Sequence, residues 1–369
     1  MQVPFLDLQA QYASIRAAVE PRLLDLCASQ GFVLGPEVQA LEAEIAAYTG
    51  SRHAIGCASG TDALILALMS CDVGPGDEVI VPSFTFMATG GAVALRHATP
   101  VFVDILPASF NVDPAAVEAA ITSRTRAIIA VDLYGQCADM QAICDIGARH
   151  GVTVIEDAAQ SIGAEHRGRR AGGIADLTTF SFYPSKNLGG FGDGGMITTK
   201  DDAHAERLRR LRVHGETARY VHDLIGTNSR LDALQAAVLR IKLQHLDDWV
   251  VRRQAHARAY RQQLLDAGLQ DRLVLPETSA HATRHVWNQF TLRVPQRDAL
   301  RQHLTEASIG TGVYYPIPMH RQKCFASLPP VSLPATEAAS REVLSLPLYP
   351  ELREEQRQHV VRSIVDFFA

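Results

Sequence analysis

Seven short apolar runs punctuate the first 245 residues and constrain the fold more than any other feature. They lie at His53–Cys57, Glu78–Val81, Pro100–Val103, Ala127–Val131, Val152–Ile155, Thr178–Phe182 and Met196–Thr199. Helical patterns fall between most of them, at Thr61–Met69, Pro114–Ile121, Met140–His150 and Ala203–Val213. Several runs are unbroken Val and Ile rather than alternating, as in strands covered on both faces. The spacing predicts an α/β domain over residues 1–245 with a mainly parallel sheet. Apolar residues at 231, 234, 238, 241, 246 and 250 then predict one long helix from Leu231 to about Ala267. It leads into a smaller α+β domain, 246–369, with strands at Val286–Val294 and Thr311–Tyr315, a helix at Arg297–Ala307 and another near the C-terminus. Pro316, Pro318, Pro329, Pro330 and Pro334 mark a loop-rich stretch within it.

Charge excludes one class of partner. A formal net charge of -5, with basic and acidic residues interspersed, leaves no electrostatic footprint for nucleic acid. No apolar stretch approaches 18 residues, and the opening Met1-Gln-Val-Pro-Phe-Leu-Asp carries an acid where a signal peptide carries Lys or Arg. A cytoplasmic protein without membrane contact is expected. The six cysteines show no C-x-x-C pair and are expected to be reduced and mostly buried. The histidines form no H-E-x-x-H pattern, and no metal is expected.

Of the 35 basic residues only four are lysine: Lys186, Lys200, Lys242 and Lys323. Arginine serves by default here, so each lysine invites a separate question, because arginine cannot deprotonate and act as a nucleophile. Lys200 precedes a helix start, and Lys242 and Lys323 are read as solvated. Lys186 differs. It follows the strand Thr179-Phe-Ser-Phe and sits in the turn Pro184-Ser-Lys-Asn-Leu-Gly-Gly. A desolvated amine at that position suits a Schiff base.

A lysine that holds pyridoxal phosphate needs three partners. An acid for the pyridine nitrogen keeps the ring an electron sink. Glu156-Asp157 ends a buried strand at the edge where open α/β sheets bind ligands. Asp157 could equally be a helix N-cap. Gln160, one turn on, could reach the ring hydroxyl. A phosphate cradle could form at Ala58-Ser-Gly-Thr-Asp, where a helix opens after a strand and Gly60 permits close approach, with the Ser181 hydroxyl beside it. A simple capping box is the alternative. Phe84, after the strand ending near Pro82, could stack on the ring, although a lone Phe more often belongs to a core. Gly190-Phe-Gly-Asp-Gly-Gly195 matches a dinucleotide fingerprint, but it leads into a strand rather than a helix, so no such site is expected.

In this order the motifs resemble the DegT/DnrJ/StrS family of sugar aminotransferases, which share the aspartate aminotransferase fold (pyridoxal-phosphate fold type I). The likeness runs from Pro4-Phe-Leu-Asp-Leu through Ser59-Gly-Thr-Asp-Ala-Leu, Glu156-Asp-Ala-Ala-Gln and Ser181-Phe-Tyr-Pro-Ser-Lys-Asn-Leu-Gly to Tyr314-Tyr-Pro-Ile-Pro. The resemblance implies that Lys186 bonds the cofactor aldehyde and moves protons. It implies Asp157 as partner of the pyridine nitrogen, Gln160 of the ring hydroxyl, and Gly60, Thr61 and Ser181 of the phosphate, with Phe84 stacking. Asn228, in Asn-Ser-Arg, resembles a residue that reaches the phosphate in a neighbouring subunit, so a homodimer with shared sites is implied. Tyr183, Tyr220, Tyr314 and Tyr315 are candidates for the sugar-nucleotide pocket.

Gln160, Tyr134-Gly-Gln and Leu231-Asp-Ala-Leu-Gln resemble members acting on a sugar's third carbon. The expected reaction moves an amino group from glutamate to a nucleotide-linked 3-keto sugar, a dTDP-3-keto-6-deoxyhexose ahead of a UDP-linked 3-keto uronic acid or a 4-keto sugar. A dehydratase of the same fold resembles this family but carries histidine in place of Lys186. A non-catalytic regulator would need a binding element that the sequence lacks.

Overall fold

The computed structural model describes every residue from Met1 to Ala369. Along the chain come α1 (Leu8–Ser29), α2 (Pro36–Thr49), β1 (His53–Cys57), α3 (Gly60–Ser70), β2 (Glu78–Pro82), α4 (Met87–Leu95), β3 (Thr99–Val103), α5 (Pro114–Ala119), β4 (Thr125–Val131), α6 (Met140–His150) and β5 (Thr153–Asp157). A short hairpin, β6 (Glu165–His166) and β7 (Arg169–Arg170), precedes β8 (Leu177–Ser181) and β9 (Gly195–Thr199). All seven sequence-predicted strands form, each within about two residues of its expected bounds.

They make one sheet, ordered β1-β9-β8-β5-β4-β2-β3. Four neighbouring pairs are parallel and two, both involving β9, are antiparallel. Period-2 alternation sends Val79 and Val81 to one face and Ile80 to the other, all three fully buried. Val154 and Ile155 divide in the same way. Helices α3, α4 and α7 (Asp202–Leu211) cover one face; α2, α5 and α6 cover the other. Each such buried aliphatic side chain stabilises the fold by about 1.5–3 kcal/mol. This is why Val79–Val81, Val101–Val103 and Ala127–Val131 carry no polar break.

The chain continues through a hairpin, β10 (Glu216–Ala218) and β11 (Val221–His222), into α8 (Ala233–Leu243) and α9 (Leu246–Asp266). The expected single long helix is two. From Ile241 to Leu246 the apolar stripe steps five positions, a rotation of about 140° beyond a full turn. A break at Gln244–His245 lets both stripes face inward, and Asp247 and Asp248 then sit favourably at the new N-terminus.

The remaining elements are β12 (Ala282–Arg284), β13 (Phe290–Arg293), α10 (Arg297–Glu306), α11 (Pro334–Glu342), β14 (Val343–Leu346) and α12 (Glu354–Phe368). Side chains from Ala257 to Ile364 build a separate core cluster, and Val3 joins it by pairing with Ile309. The expected strand at Val286–Val294 pairs only over β13, against β14. Thr311–Tyr315 makes a single bridge, Gly312 to Ser345, instead of a strand. All six cysteines are free, but only Cys57, Cys71 and Cys137 are fully buried. No helix is long and apolar enough to cross a membrane.

Candidate active site

The carboxyl ends of β1, β2, β5 and β8, together with the start of β9, share one edge of the sheet. Each delivers a candidate group there. After β1, Ser59 caps α3 by accepting a hydrogen bond from the Asp62 N–H at 3.1 Å, worth about 1 kcal/mol. The N–H groups of Gly60 and Thr61 have no partner in the chain. A Cβ on Gly60 would lie 2.6 Å from the Ser181 Cβ, so only glycine lets α3 open this close to β8. Free amides, a helix N-terminus and a hydroxyl form a cradle suited to a phosphate.

Strand alternation separates the two acids at the end of β5. Glu156 points to the α6 side, fully buried, and accepts from the Gly172 N–H at 2.9 Å and the Thr178 hydroxyl at 2.8 Å. Asp157 points to the other side, accepting from the Thr89 hydroxyl at 3.0 Å and the Ala159 N–H at 3.2 Å. Burial pushes the Asp157 carboxyl up from its ordinary range, and the Lys186 charge opposes that shift. Thr89, on α4, was not anticipated: a threonine hydroxyl inside an apolar helix gives no sequence signal of its partner. Gln160 is locked at both ends of its amide, accepting from the Tyr134 N–H at 2.7 Å and donating to the Tyr315 hydroxyl at 3.2 Å.

Lys186 sits in the turn after β8, where its N–H donates to the Tyr183 carbonyl at 2.9 Å. Burial lowers its amine to about 8, against an ordinary 10.5, and the Asp157 carboxylate limits the drop. A fully charged ammonium cannot attack an aldehyde, so the shift brings the reactive free base within reach of neutral pH. The rate at which cofactor-free protein captures pyridoxal phosphate, followed by visible absorbance, should therefore rise with pH through about 8 and flatten above it. A rate that keeps climbing towards pH 10 would show that Lys186 is not desolvated. The cradle, the acid and the lowered amine fit this cofactor by their chemistry.

Two expectations need correction. Phe84 has no exposed surface at all; it is packed among Phe110 and Tyr315, so it offers no face to a ring. Phe86, two residues on at the N-cap of α4, is 57% exposed and has the free face. Lys242 is not solvated: it is 2% exposed, with its ammonium on the Gly189 carbonyl at 2.7 Å. Lys200 and Lys323 are exposed, as expected.

Tyr315 and Tyr314 flank the same edge, the Tyr314 carbonyl accepting from the Tyr134 hydroxyl. Tyr183 is exposed in the Lys186 turn, while Tyr220 projects into solvent from the β10–β11 hairpin. Asn228 is exposed and bridges Val213 through its backbone. Its neighbour Ser229, buried, accepts from the Ala58 N–H and donates to Asp62, fixing this segment against the cradle. A cleft of about 660 Å³ lined by Cys144, Thr153 and Lys200 lies at the opposite end of β5 and contains none of these groups.

Comparison with known proteins bears on the same arrangement. The model of the DegT/DnrJ/EryC1/StrS aminotransferase family matches residues 14–365. A pleiotropic regulatory protein of Geobacillus stearothermophilus is 50% identical over 370 residues, covering 100% of this chain and 99% of that one. The dTDP-3-amino-3,4,6-trideoxy-alpha-D-glucose transaminase of Streptomyces venezuelae is 48% identical, covering 98% and 95%. The crystal structure of S. venezuelae DesV in complex with a ketimine intermediate superposes with a TM-score of 0.96 at 48% identity, covering 99% and 98%.

Proposed function

Because this chain belongs to the DegT/DnrJ/EryC1/StrS aminotransferase family, we propose that it transfers the amino group of glutamate to the 3-keto group of a nucleotide-linked sugar, a dTDP-3-keto-6-deoxyhexose. That it is a pyridoxal-phosphate-dependent aminotransferase follows from the family and the shared fold. The observation that carries the reading is the Lys186 amine, lowered to about 8 beside Asp157 at the sheet edge. The choice of a dTDP-linked 3-keto sugar is supported by the 48% likeness to a transaminase of that substrate class.

When bound, the cofactor supplies an electron sink that makes the donor's α-proton removable. The chain supplies the rest. Lys186 as free base would hold the aldehyde and would carry protons to and from the substrate carbon. Asp157 keeps a proton on the ring nitrogen. Gly60, Thr61 and Ser181 hold the phosphate, and Phe86 offers its face to the ring. Gln160, held by Tyr134 and Tyr315, keeps one N–H that would serve the ring hydroxyl. Tyr183, Tyr314, Tyr315 and Tyr220 would receive the sugar nucleotide. We assign Asn228 to the phosphate of a second subunit's site; sedimentation, and recovery of activity in mixed Lys186→Ala/Asn228→Asp dimers, check that assignment.

Lys186 argues against the histidine-bearing dehydratases, and visible absorbance of the purified protein separates an enzyme from a regulator. The decisive assay is amine transfer from glutamate to dTDP-3-keto, dTDP-4-keto and UDP-linked 3-keto uronic acid sugars. The dTDP-3-keto sugar should lead in kcat/KM by roughly tenfold or more. Faster turnover of either competitor would overturn the substrate assignment.

A further inference from the structure

Lys242 is the second lysine that the arginine-rich composition leaves unexplained. It lies on α8, 2% exposed, with its ammonium 2.7 Å from the Gly189 carbonyl and 4.9 Å from the centre of the Phe191 ring. Burial lowers its amine to about 8, and only the charge of Glu351 opposes the shift. No carboxylate pairs with it directly. A buried ammonium held by one carbonyl and one aromatic face is a costly arrangement, so a bland apolar residue would serve packing better.

What it touches explains it. Gly189 and Phe191 follow Lys186 by three and five residues. The same helix sends Gln235 to accept from the Phe191 N–H at 2.7 Å, and the Gly190 N–H donates to the Phe182 carbonyl at 2.7 Å. Asn187 donates to the Val286 carbonyl at 3.1 Å. The turn is thus pinned on either side of Lys186, and Lys242 is the one charged pin. Arginine, used almost everywhere else, is a wide planar fork; the compact point charge of lysine suits a single carbonyl under a ring.

We propose that Lys242 is a positioning residue: by capping the Gly189 carbonyl beneath Phe191 it holds the Tyr183–Phe191 turn, and with it the Lys186 amine, in its reactive placement. The proposal rests on the reading that Lys186 bonds the cofactor. Borohydride reduction of the loaded protein with peptide mapping tests that reading separately: a label elsewhere than Lys186 defeats the reading, whereas unchanged exchange in the turn with the label on Lys186 defeats the clamp alone.

The clamp itself is tested with Lys242→Met, which keeps the stem's volume, Lys242→Arg, and Phe191→Leu at a 43% exposed site. Lys323→Met is the control. Hydrogen exchange of cofactor-free Lys242→Met should quicken at residues 183–191 by roughly tenfold, while β5 and β8 stay protected. In loaded protein, a single turnover with glutamate should slow by roughly tenfold or more per cofactor, with half-saturation changed less than about threefold, as expected when a reacting group is misplaced. Lys242→Arg should not rescue, and Phe191→Leu should move both readings the same way by less. Unchanged exchange in the turn would overturn the proposal. So would faster exchange with an unchanged single-turnover rate, which would make Lys242 purely structural. If Lys242→Met does not fold, Phe191→Leu decides: no effect on either reading rejects the clamp.

Discussion

Lys186→Ala is expected to abolish amine transfer, by roughly 10⁴-fold or more, and to remove the visible absorbance of the loaded protein. Lys200→Ala and Lys323→Ala should leave both largely intact. Alanine has no amine, and no other lysine can substitute at that edge of the sheet. Lys200 is exposed and its ammonium contacts the Gly173 carbonyl, while Lys323 is exposed in a loop. Lys242 is buried but is turned onto Gly189 and Phe191 rather than towards Asp157. Lys186 alone joins an amine lowered to about 8 to the Asp157 carboxylate at the carboxyl edge of the sheet. Reduction with borohydride and mapping of the modified peptide should find the label on Lys186. Normal turnover by Lys186→Ala, or a label on another lysine, would remove the foundation of the site.

Asp157→Asn is expected to keep the fold and bind cofactor, yet lose turnover by roughly 10²–10³-fold. Asparagine can still accept from the Ala159 N–H at Oδ1, and its Nδ2 can donate to the Thr89 hydroxyl, which then accepts where it had donated, so the local structure has little reason to shift. What it loses is negative charge. A neutral amide does not hold a proton on the ring nitrogen, and the electron sink weakens where charge develops. Because Asp157 is 5% exposed, little water is present to compensate. Cofactor content and turnover, measured on the same preparation, separate the two outcomes. Turnover within about threefold of the parent would leave Asp157 as no more than a turn-capping residue.

Much of this arrangement could be read along the chain because it depends on neighbours in sequence. The Val and Ile runs mark strands buried on both faces, since any polar residue there would meet a helix rather than water. Ser59-Gly-Thr-Asp reads as a helix opening because the cap and the amides it frees lie within four residues. Lys186 stands out because lysine is scarce here and its turn follows a strand directly.

Other features had no local signature. Phe84 and Phe86 are indistinguishable in Ser-Phe-Thr-Phe; which ring is buried depends on Phe110 and Tyr315, far away in sequence. Lys242 lies in an amphipathic pattern that reads as solvated, and its burial depends on the Lys186 turn folding back over α8. Glu156 and Asp157 are adjacent acids, and strand alternation assigns them to opposite faces only once the faces are covered. The sequence alone determined the sheet, the opening of α3 at Ser59-Gly-Thr-Asp and the placing of a rare lysine in the turn after β8, because hydrophobic period and capping act within a few residues. Tertiary structure alone decided which aromatic face is free, which acid lies on the Lys186 side, and that a second lysine is buried on the Gly189 carbonyl, because desolvation is imposed by whatever distant chain covers a group.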